Sequence, residues 1–96
     1  MDIFAQLVER IIAEQERIIG PIALEQARKV AGLTVDWQKH AIQFSGDKTD
    51  IVEKLVEQYQ GLFGQASVEA CKESVQAILF KVPEDQIPPL LRNTNR

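Results

Sequence analysis

The side chains that could do chemistry in this chain are few, and the first of them is its only histidine. His40 lies in the stretch Trp37-Gln38-Lys39-His40-Ala41. A histidine titrates near neutral pH, so it could act as a general base or accept a phosphoryl group. Helical modules that relay phosphate carry such a histidine before a Leu-Lys-Gly turn, and no lysine and glycine follow His40 at that spacing. We therefore expect a solvated loop histidine, and one imidazole without a carboxylate pair predicts no metal site.

Cys71 is the only cysteine, which excludes an intrachain disulfide and a cysteine-based metal site. A thiol becomes a nucleophile when a neighbouring base lowers its pKa. Cys71 shares an apolar helical stripe with Val68 and Val75, and this placement predicts a buried cysteine that behaves as a small hydrophobic residue. A Cys71–His40 pair stays an open alternative that the spacing does not support.

A line of acids on one predicted helix could attract a cation or a basic partner. Its members are Asp47, Asp50, Glu53 and Glu57. Lys48 and Lys54 interrupt the line, and the spacing is not that of a calcium loop. We expect a solvated helix face, and we predict no catalytic residue, metal or cofactor.

Gly20-Pro21 interrupts a strong helical pattern within the sequence RIIGPIAL. A helix N-terminus after a glycine can bind an anion, but there is no glycine-rich loop here and no lysine or serine in the right place. Proline lacks the N–H that would bond the carbonyl of Arg17. The pair therefore predicts a kink or corner between two helices, within two residues of Gly20.

Hydrophobic periodicity predicts an all-α domain, a small bundle of four main helices at about 2–19, 22–31, 48–63 and 67–81. Residues 33–46 break this period and form an irregular connector. Within it, Ile42 and Phe44 alternate with polar or small residues, which is typical of a short strand. No partner strand is apparent in this chain, so we expect a packed connector or pairing with a second subunit.

Composition predicts one domain over 1–91 and a polar tail over 92–96. Apolar residues make up 45% of the chain, and the net charge is −3. Neither half is basic: residues 1–46 hold six acids and five bases, and 47–96 hold eight acids and six bases. This balance predicts no nucleic-acid and no membrane partner. The N-terminus is not a signal peptide, and we expect a cytoplasmic setting.

The motif IIGPIA within Glu16 to Gly32 resembles a small helical bacterial domain of uncharacterised function. In that family a helix runs into a Gly-Pro-Ile-Ala turn and an alanine-rich helix follows. The segment Tyr59 to Val75 is similar to cyanobacterial sequences. The resemblance implies an accessory module of signalling or regulatory proteins and supplies no catalytic residues.

The wide apolar faces of short helices predict a surface that needs a partner. We therefore predict a non-enzymatic helical protein–protein interaction or regulatory module that self-associates as a homodimer. The candidate interface residues are Trp37, Ile42, Phe44, Phe4 and Ile18. A large aromatic such as Trp37 has the profile of a core anchor or of an interface residue, and its apolar neighbours Val35 and Ile42 favour the core.

The main alternative is a phosphorelay or thiol-based catalytic module that uses His40 or Cys71. Binding of a small ligand between the helices would need a cavity that the sequence does not reveal. A helix-turn-helix DNA reader is a further alternative, but Glu69 and Glu73 on its second helix would face phosphate.

Overall fold

The first helix, α1 (Ile3–Ile19), is followed at once by the predicted corner. The computed structural model describes residues 2–92 of the chain. Gly20 ends α1 at a φ of 77°, a backbone conformation that favours glycine, while its amide still donates to the carbonyl of Glu16 at 2.8 Å. The second helix, α2 (Ile22–Ala27), begins one residue after Pro21. The predicted break between two helices is confirmed.

Helix α2 is shorter than the predicted 22–31, because the chain tightens directly after Ala27. The amide of Val30 donates to the carbonyl of Ala27, three residues back, instead of continuing the α-helical ladder. Gly32 then adopts a φ of +85° and accepts a hydrogen bond from the amide of Ser45 at 2.7 Å. This tight turn brings the chain into a strand.

The segment predicted as an irregular connector is an antiparallel β-hairpin. Strand β1 (Leu33–Asp36) pairs with β2 (Ala41–Phe44), with Leu33 opposite Phe44 and Val35 opposite Ile42. The all-α prediction is therefore wrong in this region, and so is the expectation that the strand has no partner in the chain. The side chains of Leu33 and Val35 are buried while those of their neighbours are exposed, so β1 presents one apolar face to the core.

Helix α3 (Lys48–Phe63) agrees with its prediction. The carboxylate of Asp47 caps it by accepting a hydrogen bond from the amide of Asp50. Gly64, at a φ of 75°, separates α3 from α4 (Gln65–Val75). Helix α4 starts before the predicted 67 and ends well before 81.

Three short 3-10 turns complete the described chain, at Leu79–Lys81, Glu84–Gln86 and Pro89–Leu91. Proline residues after Lys81 prevent a longer helix. The carboxylate of Glu53 accepts a hydrogen bond from the amide of Leu90 at 2.8 Å and so fixes this segment to α3. Residues 93–96, most of the predicted tail, lie outside the described residues.

Residues 2–92 are thus mostly helical, with four α-helices and one small two-stranded sheet. Helix α1 packs against the other three helices and against β2, while α4 also packs against α3 and the last 3-10 turn. The core is aliphatic, and its largest fully buried side chains include Leu7, Ile11, Ile12, Leu55 and Tyr59. No helix within residues 2–92 has the length and apolar character needed to cross a membrane.

Candidate functional site

Three hydrogen bonds, two of them buried and one part-buried, indicate which helix ends lie together. The Tyr59 hydroxyl of α3 donates to the carbonyl of Ala23 at 2.6 Å. One residue earlier in α3, the Gln58 amide donates to the side chain of Gln26 at 2.7 Å. The later of these two α3 residues contacts the earlier of the two α2 residues, so the two helices run in opposite directions. The end of α3 therefore lies beside the start of α2.

The third bond joins α1 to the start of α4. The side-chain amide of Gln15, only 1% exposed, donates to the carbonyl of Ser67 at 3.2 Å. The last turn of α1 therefore lies beside Gly64, where α3 ends and α4 begins. The end of α1, the start of α2 and the end of α3 meet at one end of the molecule.

This end of the molecule exposes four large apolar side chains, which we call the apolar end. They are Ile18 at 54% exposure, Ile22 at 39%, Leu62 at 50% and Phe63 at 42%. Scattered apolar residues are normal on a protein surface, whereas these four lie on adjoining helix ends. The arrangement can bury apolar area against another protein, and it offers no reactive group.

The five predicted interface residues occupy different places. Phe4 is 7% exposed and belongs to the core, whereas Ile18 lies in the apolar end. Trp37, Ile42 and Phe44 are half-buried in the hairpin region and pack against the core. The structure therefore does not bring these five residues together on one surface.

Leu62 and Phe63 continue the helical spacing that is typical of the buried face of α3, and neither they nor Ile22 are among the predicted interface residues. Both residues of α3 fit the helical spacing, but they lie beyond Tyr59, where the neighbouring helices end. The signal available in the sequence was their position directly before Gly64, the cap that ends the helix.

His40 lies in the turn of the hairpin, and its side chain is 61% exposed. Its Nδ1 is 2.5 Å from a carboxylate oxygen of Glu9 in α1, and its ring centroid is 5.6 Å from that of Trp37. The backbone of His40 has a φ of 54°, which is uncommon for a residue other than glycine. A carboxylate at Nδ1 favours the tautomer that carries its proton there, and Nε2 is then available as a base or nucleophile.

Cys71 is fully buried in α4, as the sequence predicted. The side-chain amide of Gln15 donates to its sulfur at 3.4 Å. Burial raises the pKa of the Cys71 thiol to about 12, and the hydrogen bond from Gln15 opposes this only in part. Among residues 2–92 no recorded hydrogen bond or ring contact joins Cys71 to His40, so the two do not form a reactive pair.

The acids along α3 serve the local structure. Asp47 caps the helix, Asp50 pairs with Lys54 at 2.9 Å, and Glu53 holds Leu90. Burial raises the pKa of Glu53, although the hydrogen bond from Leu90 partly opposes it. Within residues 2–92 there is no group of three or more histidine, cysteine or acidic side chains that could hold a metal ion.

Comparison with known proteins finds no relative of this chain. No family model matches the chain, and neither a curated protein nor a solved structure matches it.

Proposed function

We propose that this chain is a non-enzymatic protein–protein interaction module that self-associates through its apolar end. The observation that carries the proposal is the exposure of Ile18, Ile22, Leu62 and Phe63 on adjoining helix ends. A bacterial, cytoplasmic setting and a role as an accessory module of signalling or regulatory proteins belong to the same proposal. The bacterial setting and the accessory role rest on the resemblance of the Gly-Pro-Ile-Ala turn. The cytoplasmic setting rests on the single cysteine, and a bundle arrangement of the four helices rests on the hydrophobic periodicity.

The exposed apolar area supports a second copy as the occupant. The four side chains leave roughly 400 Å² of apolar surface open, at about half of 200 Å² each. Two copies paired around a two-fold axis would cover about 800 Å². A standard interface buries about 1,600 Å² in total, of which somewhat more than half is apolar. The apolar end therefore supplies close to the apolar share that a stable pair needs.

Sedimentation velocity tests this proposal directly. Leu62→Glu places a charge within the apolar end, at a position that is half exposed and so tolerates the change in the folded monomer. We expect this variant to sediment at no more than half the mass of the wild type at micromolar concentration. Gln38→Glu adds the same charge at an exposed position in the hairpin turn and serves as the control, which should keep the wild-type mass. Equal masses for wild type and Leu62→Glu would refute the role of the apolar end.

The second candidate function is phosphoryl acceptance by His40, which the contact between its Nδ1 and Glu9 favours. In that reaction Nε2 would attack the phosphorus of a phosphoramidate, and ammonia would leave. Incubation with phosphoramidate followed by ³¹P NMR tests it, with His40→Gln as the control. Absence of a phosphohistidine signal in the wild type would end this candidate. The thiol-based alternative loses its support, because Cys71 is buried and its raised pKa keeps it protonated.

A further inference from the structure

A groove runs along one face of α4, and none of the four residues of the apolar end lines it. Its volume is about 390 Å³. It has an apolar side formed by Leu79 and Leu91 from two 3-10 turns, and a polar side formed by one face of α4. The lining residues on α4 are Glu69, Lys72, Glu73 and Gln76.

The most exposed large apolar residue of those described is Phe80, at 79% exposure. It follows the groove residue Leu79, and the Lys81 ammonium lies 5.9 Å from the centre of its ring. An exposed aromatic side chain and a cation in contact with it therefore follow the groove residue Leu79 directly in the chain.

The groove and the Phe80–Lys81 pair each carry one charge that has no ion-pair partner among the described residues, and these two charges are opposite in sign. Lys72 lies 3.8 Å from Glu69, so these two groove charges balance one another. Neither Glu73 nor Lys81 appears in an ion pair within residues 2–92. The groove thus has one carboxylate without a cation, and the segment beside it has one cation without a carboxylate.

We propose that the α4 groove receives Phe80 and Lys81 of a second copy of this chain, in a two-fold contact distinct from the apolar end. Because the Phe80–Lys81 pair follows the groove residue Leu79 directly in the chain, a two-fold axis between the groove and the pair places each pair in the groove of the other copy. Phe80 then covers the apolar side formed by Leu79 and Leu91, and Lys81 meets Glu73. Both contacts occur twice.

This contact goes beyond the proposed function, because it gives each chain a second self-complementary surface. A chain with two such surfaces assembles past a pair, into a closed tetramer or an open row of copies. The aromatic ring anchors the contact, and the two charge pairs fix its register.

The first test measures mass by sedimentation for the wild type, Leu62→Glu, Phe80→Gln and the variant with both changes. We expect a wild type larger than a dimer, a dimer for each single variant and a monomer for the double variant. A wild-type dimer that Leu62→Glu alone makes monomeric overturns the groove contact and leaves the apolar end intact. A wild-type dimer that only Phe80→Gln makes monomeric supports the groove contact and overturns the apolar end. A monomeric wild type overturns both.

The second test uses charge exchange and needs no change to Phe80. In the Leu62→Glu background, Lys81→Glu alone and Glu73→Lys alone each place like charges together twice in the pair. Each should weaken the dimer on the order of tenfold. Mixing the two variants restores both opposite-charge pairs, so the mixture should regain the dimer of the parent.

Lys29→Glu in the same background is the matched control, since it reverses an exposed lysine of another surface. It should leave the dimer unchanged. A mixture of Lys81→Glu and Glu73→Lys that associates no better than either variant alone would overturn the proposed contact. Circular dichroism of each variant confirms that the comparison is made between folded proteins.

Discussion

Replacing Tyr59 with phenylalanine removes one oxygen atom from the bond that joins α3 to the start of α2. The Tyr59 side chain is fully buried, and its hydroxyl donates to the carbonyl of Ala23 at 2.6 Å. Phenylalanine keeps the ring and its packing. Tyr59→Phe therefore isolates the hydrogen bond that holds the apolar end together.

The expected cost follows from what the missing hydroxyl leaves behind. A hydrogen bond contributes about 0.5–1.5 kcal/mol net, and a buried acceptor left without its donor costs about 1–3 kcal/mol. The carbonyl of Ala23 lies in the first turn of a helix, where it can accept a second hydrogen bond. We therefore expect Tyr59→Phe to lose about 1.5 kcal/mol of stability, where the two ranges overlap. For a domain of this size that lowers Tm by roughly 6–12 °C.

The pH dependence provides a second and sharper signature. Burial raises the pKa of Tyr59 above its ordinary value of 10.0. Above pH 10 the unfolded chain loses the phenol proton while the folded chain keeps it, so wild-type stability falls by about 1.4 kcal/mol per pH unit from this group. Tyr59→Phe has no such proton. The stability advantage of the wild type over Tyr59→Phe should therefore fall to zero between about pH 10 and 11.

Urea unfolding followed by far-UV circular dichroism, at neutral pH and in steps above pH 10, measures both effects. Tyr59→Leu is the control: it lacks the hydroxyl and also loses ring volume, so it should be the less stable variant at every pH. A Tyr59→Phe protein within about 0.3 kcal/mol of the wild type at neutral pH would refute the energetic role of the bond. A difference that stays constant above pH 10 would refute the buried, protonated phenol.

Further predictions concern a turn and the buried thiol. Gly32→Ala should destabilise the protein by at least about 1 kcal/mol more than Gly20→Ala, measured by the same unfolding experiment. Both glycines have positive φ, but a Cβ at Gly32 would lie 2.6 Å from the Ser45 carbonyl oxygen, whereas one at Gly20 meets nothing within 4 Å; equal costs would contradict this close approach. Native Cys71 should resist a mild alkylating reagent at pH 8 and react once the protein is unfolded, as mass spectrometry would record; rapid native modification would contradict its burial. Because burial raises the pKa of Cys71 from 9.0 to about 12, the folded protein keeps a proton that the unfolded chain loses above pH 9. Loss of this proton from the unfolded chain should lower the free energy of unfolding of the wild type by about 1.4 kcal/mol per pH unit above pH 9. Cys71→Ala has no thiol and should not show this decrease.

Helical periodicity was sufficient to predict α1 and α3, because their apolar stripes are long and both carry clear caps. It extended α2 and α4 too far. Val30 and Ile78 fit the apolar spacing of those helices, yet both lie in tight turns. Their side chains reach the core from these turns and not from a helix. Periodicity reports which side chains face inward and does not distinguish a helix from a turn that achieves the same burial.

The hairpin escaped prediction for a related reason. Strand β1 has four residues, and only Leu33 and Val35 carry its apolar alternation, which is too short to identify a strand beside a helix end. The strand character around Ile42 was recognised, but its partner was not. In the candidate site, Ile18 was predicted as an interface residue, while Leu62 and Phe63 fit the spacing of a buried helix face. How far an apolar stripe extends beyond the core depends on where neighbouring helices end, and that is a property of the tertiary structure.

The mass of the wild type beside that of Leu62→Glu, at matched micromolar concentrations, tests the central proposal most directly. Self-association through the apolar end predicts that one charge at Leu62 reduces the mass to half or less, while the fold and the Gln38→Glu control remain unchanged. A wild type and a Leu62→Glu variant that sediment together at the same mass would contradict it.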